Sequence, residues 1–412
     1  MRATQFPVYY GWLVLAASAL SEMLATGASS YAAGLFVLPL QAEFHISRAG
    51  ANSAVLILFI GSALTAPWVG RLLDRHSMRT VISLGALLFG AAFAGIALSP
   101  SVLVMALLLL PAGMGFAAIG PLSTNTLASR WFFHRRGLAL GLAAVATSGG
   151  GFVVVPLLSR AIQSIGWRAA LLWEAVILVA LIVAAALIVV RDRPAAVGLG
   201  DHPENRGRAA ASPDQVPAQR PAGILVSRAF WLAAMTMALV PATCQALVVT
   251  LVPYGTHLGY ATESLAMLIA AFSLCAGVTK IGAGLLSDRV NLRWLLALAA
   301  GLMMAAWLVL MIVHAYGGLL VTSCLAGVAL GFALPASATL IANFFGSARF
   351  GTVMGWAYSL ALVLIISLVL FAGIVFDRTG GYHFAFATFA VLLGGLLLAI
   401  LLLPLPRRDR PA

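Results

Sequence analysis

The stretch GRLLDR, Gly70 to Arg75, recurs as GLLSDR, Gly284 to Arg289. Both read G-x-x-x-D-R, and 214 positions separate them (284 minus 70). A second pair keeps that spacing: WFFHRRGLALG, Trp131 to Gly141, aligns with NFFGSARFGTVMG, Asn343 to Gly355, setting Arg135 on Arg349 and Gly141 on Gly355. Two unrelated stretches that agree on one offset mark an internal duplication of about half the chain.

What is duplicated follows from composition. Hydrophobic residues make up 62% of the 412 and charged ones 9%, and the mean hydropathy is +1.04. A water-soluble domain of that composition would be a core with almost no surface, so the chain reads as an integral membrane protein. Polar breaks delimit twelve apolar segments, near 9–40, 49–70, 79–98, 102–128, 137–158, 169–190, 227–253, 263–286, 293–313, 318–344, 352–376 and 384–405. Each supplies the roughly 20 helical residues that a hydrocarbon core about 30 Å thick requires. Strands of a membrane barrel would alternate and be about half as long. The first segment starts like a secretory signal, but it stays apolar for about thirty residues and eleven more follow, so it reads as a retained helix. Cys244, Cys275 and Cys324 all fall within spanning segments, which points to small buried hydrophobes and no disulfide framework.

Arg191 to Gly223 is rich in Pro, Gly, Ala and charge, without apolar period. It reads as a flexible linker. The expected fold is an all-α membrane protein of two pseudo-symmetric six-helix bundles: an N-terminal half over 1–190, a linker over 191–225 and a C-terminal half over 226–412. Parallel repeats of this kind are a carrier architecture.

The net charge of +12 rests on 23 arginines and a single lysine, Lys280. With the N-terminus in the cytoplasm, nineteen arginines fall on the cytoplasmic side and only Arg48, Arg160, Arg168 and Arg378 on the other. That asymmetry places both termini inside, in the cytoplasmic (inner) membrane, and accounts for the charge without a nucleic-acid partner.

GRLLDRHSMRT, Gly70 to Thr80, resembles the loop motif between the second and third helices of the major facilitator superfamily, with Ser77 and Met78 where that family has Gly and Arg. YYGWLVLAASAL (Tyr9 to Leu20), WFFHRRGLALG and GWRAAL (Gly166 to Leu171) resemble its monocarboxylate and oxalate/formate transporter branch. The resemblance implies a twelve-helix carrier working by alternating access, with no cofactor. Asp74 is placed to face a helix N-terminus and to pair with Arg75, Arg79 or the Arg135–Arg136 cluster. Such pairs, with Asp288 and Arg289 as the repeat, would gate the cytoplasmic mouth. The plainer reading is that these arginines anchor to anionic lipid headgroups.

An ionisable group at mid-bilayer costs about 2.5–3.5 kcal/mol on insertion scales, so each one is a functional candidate. Lys280 stands on a face of small residues: Ala276, Gly277, Ala283 and Gly284, with Ser273 a turn further back. In the family it resembles, this position is usually an arginine that binds the substrate carboxylate, four residues before the glycine of the second motif. Lysine is instead a point charge that loses its proton more readily when desolvated. The competing reading is a side chain that snorkels to the cytoplasmic surface. Ala276 and Leu35 stand where animal monocarboxylate carriers have an aspartate and a lysine, so coupling through those groups does not carry over. Glu22 offers another proton site, on a helical stripe with Ser18, Thr26 and Ser29, or it pairs with Lys280; the alternative is a protonated acid bonded to a neighbouring helix. Glu174 is expected at the interface near Arg168.

Asn125, Gln245, Tyr358 and Ser359 are further candidates for binding a small polar ligand, ahead of Thr147, Ser148 and Thr243, although hydroxyls in membrane helices commonly bond their own backbone. TSGGGFVVVP, Thr147 to Pro156, lacks a phosphate-cradle ending and reads as a site of close helix packing. The expected partners are a small carboxylate substrate, a proton or counter-anion, and membrane lipid, for a monomer. Two other readings remain. A proton-driven drug exporter would use Glu22 as proton site, but its usual G-x-x-x-G-P signature in the fifth helix is incomplete, because Phe152 follows the glycines; a non-transporting solute sensor would add a cytoplasmic domain larger than the linker. No Ser/His/Asp, Cys/His or metal-ligand cluster is legible for an enzyme. His257 and Glu263, near one loop, are one imidazole and one carboxylate.

Overall fold

The computed structural model describes residues 9–46, 48–199, 227–260 and 262–402. Of the expected linker, Pro194–Val197 forms a single 3₁₀ turn, and the remainder from position 200 lies outside the described residues. Twelve helices long and apolar enough to span a membrane are present among the described residues, and no strand. They are α1 (Tyr10–Thr26, continued by Ala33–Phe44), α2 (Arg48–Arg75), α3 (Met78–Leu98), α4 (Val102–Ile119, then Pro121–Trp131), α5 (Arg136–Ile165), α6 (Trp167–Ile188), α7 (Arg228–His257), α8 (Thr262–Ser287), α9 (Leu292–Ile312), α10 (Tyr316–Phe345), α11 (Phe350–Thr379) and α12 (His383–Leu402).

Two helices depart from a plain α form. In α1 a π-helical turn spans Gly27–Tyr31, an arrangement that often accompanies functional sites. In α4 the backbone turns extended at Gly120, and Pro121 restarts the helix at a position where its missing N–H costs nothing.

The chain divides into two compact units: Met1–Ala139, Ala143–Pro213 and Ser347–Ser359 in one; Leu140–Leu142, Asp214–Gly346 and Leu360–Ala412 in the other. In the first, α2 and α3 pack on α4, and α3 on α6, around Leu73, Phe89, Ile119 and Trp131. In the second, α8 and α9 pack on α10, and α9 on α12, around Trp307, Phe386 and Phe389. Large apolar side chains such as Leu84, Leu157, Val278 and Val391 are more than 60% exposed, the outward face that lipid covers.

The duplication is visible as repeated packing. In the first unit a Cβ on Gly355 would meet the Ala66 carbonyl; in the second, a Cβ on Gly141 would lie 2.6 Å from the Lys280 carbonyl. Gly355 and Gly141 are 214 apart, as are Lys280 and Ala66. Each contact brings two backbones together where only glycine fits.

Candidate functional site

Gly70 and Asp74 are four residues apart on α2, hence one above the other on one helical face. Into that face the N-terminus of α11 descends. A Cβ on Gly351 would fall 2.7 Å from the Gly70 carbonyl, so glycine at both positions lets the backbones meet. Asp74 then accepts the Gly351 N–H at 3.0 Å on Oδ1 and the Thr352 N–H at 2.6 Å on Oδ2. These are amides at the first turn of α11, which have no partner inside their own helix. The carboxylate caps α11 from another helix.

The cation beside Asp74 is Arg130, whose Nη2 lies 3.4 Å from Oδ1 and also donates to the Leu73 carbonyl at 2.6 Å. This corrects the expected pairing with Arg75, Arg79 or Arg135–Arg136. Arg79 is turned to the end of α6, where its Nε donates to the Val190 carbonyl at 2.6 Å. There Asp192 accepts the Met78 N–H at 2.6 Å. Arg136 is buried and donates to the Phe132 and Ser129 carbonyls that close α4. Arg75, Arg135, Asp288 and Arg289 are exposed.

A second polar cluster surrounds Glu22, which is 1% exposed. Close packing of α1 on α5 creates it: a Cβ on Gly150 would lie 2.6 Å from the Met23 carbonyl and 2.6 Å from the Gly27 amide. Thr147, one turn earlier, thereby reaches Glu22 and donates to Oε1 at 2.6 Å. Tyr31 and Ser148 share a hydrogen bond, and Glu22 is within electrostatic reach of the Tyr31 and Tyr358 hydroxyls. Of the rest of the stripe, Ser18 and Ser29 are buried and spent on their own helix, on the Leu15 and Ala25 carbonyls, whereas the buried Thr26 hydroxyl has no hydrogen-bond partner among the described residues. Ser359 donates to the Ala63 carbonyl at 2.6 Å, so its proton holds α11 to α2.

Lys280 is 4% exposed. A snorkelled ammonium would be open to solvent, so the burial argues against that alternative. Its helix α8 is approached by glycine on two sides, by Gly141 at the Lys280 carbonyl and by Gly331, whose Cβ would lie 3.1 Å from the Ala276 carbonyl. Gln245 is exposed on α7 and Asn125 is half-buried on α4.

Glu174 is not beside Arg168 as expected. Six residues turn a helix by about 600°, which leaves the two side chains about 120° apart. Arg168 pairs instead with Glu43, Nη2 to Oε1 at 2.6 Å, and donates to the Ala97 and Ser99 carbonyls. Its hydrogen bond holds Glu43 below the ordinary carboxylate range, against partial desolvation and with help from the Trp167 Nε1–H. Both Glu174 carboxyl oxygens are buried without a hydrogen-bond partner among the described residues.

The family model for the Major Facilitator Superfamily matches residues 18–267 and 236–412. The chain belongs to the Major Facilitator Superfamily. Among superfamily relatives, it is 25% identical over 417 residues to monocarboxylate transporter 12 of Mus musculus, covering 94% of this chain and 85% of that one. It is 23% identical over 284 residues to the oxalate:formate antiporter of Oxalobacter formigenes, 68% of this chain and 64% of that one. The match to the uncharacterized MFS-type transporter YcxA of Bacillus subtilis is 30% identical over 135 residues, 32% of this chain, and spans only 33% of that protein's length. The superfamily fold is likewise that of the human organic anion transporter MFSD10, with a TM-score of 0.73 at 16% identity over 96% of this chain and all of that one. The protein is thus an integral membrane transporter by family and fold.

Proposed function

We propose that this transporter moves a small organic anion, a monocarboxylate, across the cytoplasmic membrane by alternating access of its two halves, driven by a proton or a counter-anion. The observation that carries the reading is the placement of the chain's one lysine. Every other cation of the 24 is arginine, and Lys280 is held 4% exposed within α8 on a face of small residues. An ionisable side chain buried in a spanning helix marks a functional site, and a carboxylate is the ligand class that an ammonium attracts. The names of the relatives, monocarboxylate transporter and oxalate:formate antiporter, point to the same ligand class.

In this reading Tyr358, Gln245 and Asn125 contribute hydrogen bonds to the solute. Glu22 is the proton site in this reading, a buried carboxyl that accepts from Thr147 and has the Tyr31 and Tyr358 phenols within reach. Asp74 acts in the gate by capping α11, together with Arg130, and Asp288 and Arg289 are its repeat. Both termini are cytoplasmic, with lipid around the apolar faces. The test is uptake by proteoliposomes of lactate, pyruvate, acetate, oxalate, formate and larger aromatic acids, with and without a pH gradient. Uptake of at least one acid, dependent on the gradient or on an internal anion, is expected; uptake of cations alone would overturn the proposal.

A further inference from the structure

At the end of the second unit opposite the connection between α8 and α9 lies a cavity of about 340 Å³. Three of the chain's seven histidines line it. His257 is the last residue of α7, His314 stands in the short connection from α9 to α10, and His383 is the first residue of α12. Tyr254, Tyr382 and Phe376 form the aromatic wall. The His314 and His383 ring centroids are 6.1 Å apart, and that of Tyr254 is 6.5 Å from His314. Tyr382 stacks on Phe376 at 4.6 Å. All three imidazoles are exposed, whereas Tyr254 is 7% exposed and its hydroxyl has no hydrogen-bond partner among the described residues.

A buried hydroxyl without a partner costs free energy that a ligand accepting its proton would recover. Three ligand classes can be weighed against the lining. A resident metal needs donors that converge, and no group of three His, Cys, Asp or Glu does so among the described residues. A purely apolar solute would leave the hydroxyl unpaired and strip water from three imidazoles. A carboxylate accepts from the hydroxyl and from imidazole N–H groups, and charge strengthens those bonds once the rings are protonated. Its hydrocarbon part would lie against the aromatic wall.

The charged and titratable neighbours leave the imidazoles in control of the sign. Helix α11 supplies Asp377 and Arg378, both exposed and of opposite charge. Tyr260 donates to the His314 carbonyl and Tyr316 to the Ser264 carbonyl, so their protons are engaged. Tyr382 is held protonated above its ordinary range by burial, and secondarily by Asp377.

We propose that this cavity is an anion vestibule in which His257, His314 and His383, with the Tyr254 hydroxyl, hold a small carboxylate while the imidazoles are protonated and release it when they are neutral. The choice of a carboxylate rests on the carrier reading above; the site itself rests on the cavity. Protonation adds the charge that strengthens the bonds to a carboxylate, so occupancy rises as pH falls. With both termini cytoplasmic the vestibule opens to the outside, where an inward proton gradient would fill it.

The test reads each histidine separately. The purified full chain in nanodiscs at pH 6.5 is treated with diethyl pyrocarbonate, which acylates neutral imidazole, in the presence of sodium benzoate or of neutral benzamide. Peptide mass spectrometry then gives a rate for each ring. Benzoate is expected to slow acylation of His257, His314 and His383 at least three-fold, with benzamide inactive and His45, His76 and His134 unchanged. Tyr254→Phe is expected to weaken that protection. Equal rates with and without benzoate, equal protection by benzamide, or equal slowing at the three control histidines would overturn the vestibule. Because the readout is local, protection without proteoliposome uptake would leave the vestibule standing and remove the carrier reading; uptake without protection would do the reverse.

Discussion

Asp74 shows what one residue carries in this molecule. It caps α11 through two amide N–H groups and sits beside Arg130 while 7% exposed as a side chain. Hydrogen bonds to a charged group are worth about 1.5–3 kcal/mol each. Asp74→Asn keeps one acceptor and loses the charge, so transport is expected to fall several-fold at normal expression; unchanged transport would remove the gating role. Gly70→Ala presses a methyl into the Gly351 carbonyl, and a lower melting temperature is expected, measured by the thermal unfolding of the detergent-solubilised protein. The spacing of Gly70 and Asp74 was legible in the sequence because a four-residue repeat is a helical face. Arg130 was not, since nothing local separates it from Arg135 and Arg136; only the folded contacts do so, with Arg130 beside Asp74, Arg135 exposed and the buried Arg136 donating to the Phe132 and Ser129 carbonyls.

At the scale of elements, α6 and the end of α1 are tied by Arg168, Glu43 and Trp167. The folded protein holds Glu43 below its unfolded value of 4.5. The tie is therefore fully present above that pH and is lost as pH falls through the lower folded value. Stability is expected to decline over that acid range, and Glu43→Gln to remove this part of the decline, measured by melting temperature against pH. Glu174 is the opposite case, a buried carboxyl with no partner among the described residues. Glu174→Leu is expected to leave the melting temperature unchanged or raise it, because a desolvated polar group is removed; a loss of several degrees would reveal a partner. The three consecutive glycines of α5 pack against α1, as their run in the sequence predicts. That they place Thr147 on Glu22 depends on the π-helical turn and helix approach of α1, which no apolar periodicity encodes.

For the whole molecule, hydropathy and the 214-residue repeat made the helix count and the duplication legible, since both are properties of spacing. The pairing of helices within each unit, the break in α4 and the meeting of His257, His314 and His383 arise from contacts between residues far apart in sequence. The proposed orientation, with both termini cytoplasmic, rests on the arginine asymmetry. In a background without native cysteines, Asn291→Cys is expected to be labelled by an impermeant maleimide only from the cytoplasmic side, and Ala315→Cys only from outside. The reverse pattern would invert the proposed topology and turn the histidine cavity inward.

In the proposed carrier the buried Lys280 anchors the transported carboxylate. The most direct measurement of that role is initial uptake, in proteoliposomes matched for protein content, of the acid that the wild-type protein takes up fastest, compared for Lys280→Ala and Lys280→Arg. At least a ten-fold loss is expected with alanine, and partial retention with arginine, which keeps the charge. Wild-type uptake of every acid by Lys280→Ala would contradict it.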